Sequence, residues 1–424
     1  LKKYLKKLPK EIQDLVYLAG DIAEENKMPA YLVGGFVRDL ISGVKNLDLD
    51  ITVEGDGIKF AECLAAATKS KLICHRRFGT ATVVLKHGLK IDIATARSET
   101  YPYPASLPVV TPGTIKEDLC RRDFTINAMA ISINRHNFGS LIDVFAGQDD
   151  LRRKIIRILH DLSFIDDPTR ILRAVRFATR YSFKIEHKSA ILLKEAVADE
   201  MLKKVQPQRL RDELILILKE SRPLEQIRQL ERTAGFGFFH LRKAIPQLQR
   251  ILLCSIERQV GWFIRTYPNR RELDVWLVYL IGLLDNIEMS KVRDICRSFV
   301  FRRGEEKRIL SYKKISHKFI STLSDTKIKP SQIFGLLEPL SYEVIILIKA
   351  KYSNRYLRKH IEDFFEIYNG MRIYVSGADL HGLGVKPGPD YRRIFSKVLN
   401  AKLNGIVKTR GEELSLIRRL IKIR

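Results

Sequence analysis

Asp48 and Asp50 stand two residues apart in Leu47-Asp48-Leu49-Asp50-Ile51. Side chains on a strand alternate between faces, so this spacing sends Leu47, Leu49 and Ile51 toward a core and both carboxylates to the other side. Two carboxylates on one face repel unless a cation lies between them, and a hard dication such as Mg²⁺ is the natural occupant. Taken alone, Asp-x-Asp also reads as the wet face of an edge strand, so its surroundings decide. A third acid, Asp92, sits in Lys90-Ile-Asp-Ile-Ala94, where Ile91 and Ile93 take the core face and Asp92 the other. In-line nucleotidyl transfer uses two metals, and a third acid on a neighbouring strand helps to hold them.

Upstream of the acid pair runs Leu32-Val-Gly-Gly-Phe-Val-Arg-Asp39. An apolar strand end, a turn at Gly34-Gly35 and then a helix offer free backbone N–H groups and a positive dipole end to a phosphate. Arg38 adds a charged fork in the first helical turn. Downstream come Arg121-Arg122-Asp123-Phe-Thr-Ile-Asn-Ala128 and Phe164-Ile-Asp-Asp-Pro-Thr-Arg-Ile-Leu-Arg-Ala-Val-Arg-Phe177. In the second run Asp167, Arg170, Arg173 and Arg176 recur every third residue of a helix, a stripe that drifts by about 60° per step and that long arginines can follow. Asp167 before Pro168 is also a good helix cap. The arginines have no Glu at helical spacing to pair with, which argues against a merely solvated face.

These residues need a sheet and helices to place them. From Tyr31 to about Phe145, β-rich runs alternate with turn residues: Leu47 to Val53, Thr80 to Lys86, Leu89 to Ala94 and Ile126 to Ile133 read as strands, with a hairpin turn at His87-Gly88. After about Gly147 the pattern is helical nearly to the end. The stretch from Arg97 to Gly113 contains four prolines. It reads as an irregular segment and a candidate gate. Near the end, Asp390 after Gly384-Val-Lys-Pro-Gly-Pro is placed to cap a basic helix running to Asn404.

Lys and Arg number 75 against 49 Asp and Glu in 424 residues, a net charge of +26. That balance favours a polyanionic partner, nucleic acid or an anionic surface. With 45% hydrophobic residues the chain can fill several cores, which excludes a disordered or collagen-like class. Val275 to Leu284, the longest apolar stretch, is about half of a membrane span. Five dispersed cysteines without Cys-x-x-Cys suggest neither a disulfide framework nor a zinc site, and a reducing, cytoplasmic setting fits. No secretory signal opens the chain, and its first residue, Leu1, is not Met, so trimming from a longer polypeptide is expected.

Residues from about 31 to 220 resemble the class II tRNA nucleotidyltransferases: CCA-adding enzymes, their A-adding and CC-adding relatives, and bacterial poly(A) polymerases. Three segments carry the resemblance: Gly-Gly-x-Val-Arg-Asp with its Asp-x-Asp, Arg-Arg-Asp-Phe-Thr-Ile-Asn-Ala, and Asp-x-x-Arg-x-x-Arg-x-x-Arg-Phe. The family usually has Glu-Asp where this chain has Asp166-Asp167. The resemblance implies an α+β fold with a β-sheet head at 31–146 after an N-terminal helix at 1–30. An all-α neck at 147–220, body at 221–370 and tail at 371–424 follow. It implies that Asp48 and Asp50 bind catalytic Mg²⁺, that Gly34, Gly35 and Arg38 hold the triphosphate, and that Arg122 and Asp123 meet the phosphate and ribose. Asp167 and Arg170 would read the base, with Arg173 and Arg176 on the nucleotide.

Base reading makes chemical sense without the family. Cytosine and adenine both present an amino donor beside a ring-nitrogen acceptor, which an Asp acceptor next to an Arg donor matches. Uracil and guanine present the reverse and leave buried groups unpaired. The activity so implied is addition of the 3′-terminal CCA of tRNA from CTP and ATP, or of its final A alone. Its rivals are poly(A) polymerase and a non-catalytic RNA-binding relative. The segment between the acids and the Arg-Arg-Asp run is shortened in CC-only members and full length here, opening on Ala96-Arg-Ser-Glu-Thr-Tyr101. The tail is expected to grip tRNA through Lys402, Lys408, Arg410, Arg418, Arg419, Lys422 and Arg424.

Overall fold

The computed structural model describes residues 2–44 and 48–422. Leu47 and Arg424 lie outside them. The chain divides into two compact units, residues 1–244 and 245–424. The α+β architecture is the expected one, a sheet-bearing N-terminal part followed by helices, but residues 147–220 are not all-α, because Ile155–Ile156 pairs in parallel with Lys184–Ile185.

Among the described residues before residue 145 there are nine strands: β1 (Ala30–Val33), β2 (Leu49–Val53), β3 (Lys71–His75), β4 (Thr80–Val84), β5 (Lys90–Thr95), β6 (Arg97–Thr100), β7 (Val109–Pro112), β8 (Ala130–Ser132) and β9 (Leu141–Ile142). Seven of them form one sheet in the order β3-β4-β5-β2-β1-β8-β9. β2 and β5 run parallel with Asp50 opposite Asp92, and the other neighbours are antiparallel. Alternation works as the sequence dictates: Ala81, Val83, Ile91 and Ile93 are buried, beneath the helix Gly57–Thr68 that packs on β3, β4 and β5. The helix Lys10–Glu25 comes so near the sheet that a Cβ at Gly20 would lie 2.2 Å from the Ile133 carbonyl oxygen.

Three further expectations need correction. The segment from Arg97 to Gly113 is not irregular, because β6 and β7 pair antiparallel as a separate two-stranded ribbon. Its prolines fall in the connecting tip and at the ribbon's end, where no ladder N–H is needed; the tip is fixed by the Ala105 N–H donating to the Ile165 carbonyl at 3.0 Å. The run Ile126 to Ile133 is not one strand. A 3₁₀ turn at Thr125–Asn127 occupies its start, and only Ala130–Ser132 is extended. Asp390 is not a cap: the helix Pro389–Leu403 starts one residue earlier, after Gly388.

Beyond the sheet, the first unit contains the helices Thr169–Tyr181, Pro207–Leu218 and Pro223–Thr233, which pack on one another. In the second unit Val275–Leu283 forms a helix with every residue from Trp276 onward buried. Among the described residues no helix is long and apolar enough to cross a membrane. Toward the end, Val375, Leu380, Val385, Ile394, Val398 and Ile417 make a small core of their own. The fully buried Glu413 accepts the backbone N–H groups of Tyr374 at 2.7 Å and Val375 at 3.1 Å and pairs with Lys402 at 3.0 Å. Arg410 pairs with Asp379 at 2.6 Å. Two of the seven basic tail residues are thus already engaged within the chain.

Candidate active site

β1 ends at Val33 and the helix Gly34–Ser42 starts at once, with no side-chain cap on its N-terminus. The Gly34 N–H donates to the Met129 carbonyl at 3.3 Å, which leaves the N–H groups from Gly35 onward in the first turn for an anion. Gly34 has φ +66°, and a Cβ there would stand 2.7 Å from Arg122 Nη1. Only glycine fits both constraints. Arg38 is buried: its Nε donates to Asp39 Oδ1 at 2.8 Å and its Nη1 to Asn127 Oδ1 at 2.6 Å. The Arg38 guanidinium also lies 4.7 Å from the Tyr181 ring centroid.

Arg121 and Arg122 owe their placement to one residue. Asp118 is fully buried and takes Arg121 at 2.7 Å on Oδ1 and Arg122 at 2.9 Å on Oδ2. Burial works against its charge, but the two guanidinium groups outweigh it and hold the carboxyl below the usual range. Asp123 Oδ1 accepts the Phe124 N–H at 2.8 Å and Asn127 Nδ2 at 3.0 Å. Its Oδ2 accepts Arg173 Nε at 2.9 Å and Nη2 at 2.6 Å. Its carboxyl is likewise held low, Arg173 and these hydrogen bonds outweighing burial.

Asp50 behaves differently. Burial raises its pKa to about 6; Arg122 opposes the rise, while Asp92 and Asp48 add to it. Burial is the main cause, and the like-charge repulsion expected of the acid pair is the smaller part. Among the described residues no three His, Cys, Asp or Glu side chains gather closely enough to hold a metal ion unaided. Mg²⁺ characteristically takes one or two carboxylates and completes its shell with substrate phosphates and water, and an acid pair beside a phosphate cradle suits that chemistry.

On the helix Thr169–Tyr181 the arginine stripe faces inward. Arg170 is buried and donates from Nη1 to Ser163 Oγ at 2.6 Å and from Nη2 to the Arg121 carbonyl at 2.7 Å. Pro168, not Asp167, takes the cap position of this helix; Asp167, one residue earlier, accepts the Thr169 N–H on Oδ1 at 3.1 Å. Its Oδ2 takes Arg209 Nη2 at 2.8 Å. The arginines have Glu partners after all, supplied by the helix Pro207–Leu218 and the residues after it: Glu213 meets Arg173 at 3.0 Å and Arg176 at 3.1 Å, and Glu220 lies 3.7 Å from Arg176.

One cavity of about 670 Å³ is lined by Gly34, Gly35, Arg38, Asp48, Asp50, Arg122, Asp123, Asp167, Arg170, Arg173 and Arg176. Three segments distant in sequence thus converge on one space. Asp92 does not line it. That acid stands on β5 beside Asp50 and accepts Thr82 Oγ1 at 2.6 Å. The cavity adds residues that sequence reasoning missed: Arg97, Glu99, Tyr101, Arg121, Asn127, Arg180 and Arg209. Glu99 organises one wall, accepting Arg97 at 2.9 Å, Arg121 at 3.2 Å and the Tyr101 hydroxyl at 3.0 Å. Burial, with Glu99 next, pushes the Tyr101 hydroxyl well above its usual pKa. Nine arginines and five carboxylates surround the space.

A family profile described as "Poly A polymerase head domain" matches residues 30–157. The A-adding tRNA nucleotidyltransferase of Halalkalibacterium halodurans is 31% identical over 94% of this chain and 90% of that protein. The chain belongs to the tRNA nucleotidyltransferase family. A second family member, the A-adding tRNA nucleotidyltransferase of Geobacter sulfurreducens, is 35% identical over 97% of this chain, which spans 47% of that protein's length. The Thermotoga maritima CCA-adding enzyme complexed with tRNA aligns at 34% identity with a TM-score of 0.73, over 99% of this chain and 98% of that one. The family's sheet-and-helix arrangement is therefore shared along nearly the whole chain.

Proposed function

We propose that the protein is a template-independent nucleotidyltransferase that completes the 3′ CCA of tRNA from CTP and ATP. One observation carries this reading: a phosphate cradle, an acid pair and a base-reading Asp and Arg converge on a single cavity. The N–H groups from Gly35 onward, with Arg38 and with Arg122 packed against Gly34, hold the triphosphate. Asp123 fixes Arg173 beneath the sugar and phosphates. Asp167 and Arg170 match the Watson–Crick edges of cytosine and adenine and leave uracil and guanine unpaired. Asp48 and Asp50 would hold Mg²⁺, which when bound would neutralise charge on the reacting phosphates. The RNA 3′-hydroxyl attacks the α-phosphate and pyrophosphate leaves, with Asp92 beside the entering hydroxyl. Residues 31–146 serve as the catalytic head, 147–220 as the base-reading neck, 221–370 as the body and 371–424 as a tRNA-binding tail. The setting is cytoplasmic.

A second reading, addition of the terminal A alone, is favoured by the two relatives named above, both A-adding. One assay separates the two. The purified chain is given Mg²⁺, labelled CTP or ATP, and tRNA transcripts ending at the discriminator base, at C and at CC. Three additions to the first transcript establish CCA synthesis, and a single A on the last alone establishes A addition. Long tails identify a poly(A) polymerase. No incorporation on any transcript overturns the enzymatic reading.

A further inference from the structure

The sheet's two halves differ in what lies over the acid-bearing face. On the β1 side stand the cradle residues Gly34, Gly35 and Arg38, and the cavity they line includes Asp50 but not Asp92. On the β5 side the same face runs open to the sheet's edge. Cross-strand register makes two rows there: Ile73, Thr82, Asp92 and Asp50 in one, and Lys71, Val84 and Lys90 in the next. Lys71, Ile73, Lys90 and Asp92 are exposed, and Thr82 and Val84 are half-buried. Ile73 is 40% exposed on the edge strand. The opposite face of these strands is the buried one, under the helix Gly57–Thr68.

In-line displacement puts the attacking oxygen and the departing pyrophosphate on opposite sides of the α-phosphate. With the triphosphate tail on the β1 side, the attacking hydroxyl has to arrive from the β5 side. An RNA end approaching from there meets a strip that starts at Asp92, carries two apolar side chains and is flanked by two lysines. Single-stranded RNA ends are held in this way, with sugars and bases on apolar side chains and phosphates on cations.

We infer that the open strip formed by Lys71, Ile73, Thr82, Val84 and Lys90 seats the 3′-terminal nucleotides of the RNA substrate. The inference rests on the function proposed above. Ile73 and Val84 lie under a base or sugar, Lys71 and Lys90 meet backbone phosphates, and Asp92 faces the terminal hydroxyl.

The test uses the full chain and tRNA ending in CC. p-Benzoylphenylalanine at position 73 is expected to photocrosslink to the last few nucleotides. The Lys71→Glu, Lys90→Glu double variant is expected to raise the KM for tRNA about tenfold or more while the KM for ATP stays within about twofold. The Ile73→Glu variant should act in the same direction. An active chain with unchanged tRNA KM in these variants and crosslinks far from the 3′ end overturns the inference and leaves the function standing. Crosslinks at the 3′ end from the position-73 probe, together with a wild-type chain that adds no nucleotide, reject the function and keep the surface. Loss of self-association in Ile73→Glu, with RNA handling intact, marks the strip as a protein contact and overturns the inference.

Discussion

Asp123 and Arg173 lie 50 residues apart in sequence, yet Nε and Nη2 of the arginine both donate to one oxygen of the aspartate, at 2.9 and 2.6 Å. The contact binds the segment after the helix Ile115–Cys120, which carries Asp118, to the helix Thr169–Tyr181. Burial disfavours charge on Arg173, but Asp123 and Glu213 outweigh it and keep the guanidinium firmly protonated. Removing one partner strands the other, so Asp123→Ala is expected to destabilise the first unit by about 3 kcal/mol in urea titrations. Arg173→Lys keeps a charge but loses the fork, and should cost less.

Gly34→Ala places a methyl group 2.7 Å from Arg122 Nη1 at a residue with φ +66°. The backbone strain is about 1–2 kcal/mol. Displacement of Arg122 from the cradle is expected to weaken ATP binding about tenfold, as read by isothermal titration. Gly43→Ala, where a Cβ meets nothing within 4 Å but φ is +72°, is the control for strain without the cradle; its ATP affinity should match wild type.

Asp50 carries a pH signature of definite sign. Its pKa rises in the fold from 3.8 to about 6. The group's contribution to stability is therefore fully present below about pH 4 and is lost as pH rises through about 6. Asp50→Asn does not titrate, so in metal-free buffer the variant should match wild type near pH 4 and exceed it by about 2–3 kcal/mol near pH 7.5. Added Mg²⁺ should narrow the gap by stabilising wild type alone. A gap independent of pH would refute the assignment.

Arg209 fixes Asp167 from the side, and its Nη1 is buried without a hydrogen-bond partner. Arg209→Ala is expected to lower kcat/KM for ATP by about 10- to 100-fold, since a positioning contact of this kind is worth roughly 1.4–2.8 kcal/mol. It should also raise the relative use of UTP and GTP, which separates loosened base reading from general damage. Arg209→Lys should recover part of the selectivity.

The acid pair, the Gly-Gly turn and the Arg-Arg-Asp run were legible because each is local: residue type and spacing alone define a face or a helix end. Glu213 and Arg209 were not. They sit four residues apart on one helix and read as an ordinary surface pair, and only packing of that helix against Thr169–Tyr181 turns them inward. Glu99 was hidden for another reason. Its ribbon is proline-rich, and β6 and β7 find each other across an eight-residue tip that carries no turn signature of its own. The Ile126–Ile133 run failed as a strand because its apolar residues serve a 3₁₀ turn, whose N–H groups bond to Phe124 and Thr125 instead of a ladder. Burial pattern was readable; partner identity across long sequence separations was not.

Nine arginines facing five carboxylates leave the cavity wall with a surplus of positive charge. Under the function proposed above, a nucleoside triphosphate would serve as a counter-ion as well as a substrate. Asp118, Glu213 and Glu220 behind the wall already offset part of this charge, and the triphosphate would quench the repulsion that they leave. If the proposed function holds, ATP is expected to raise the melting temperature of the chain in a thermal-shift titration.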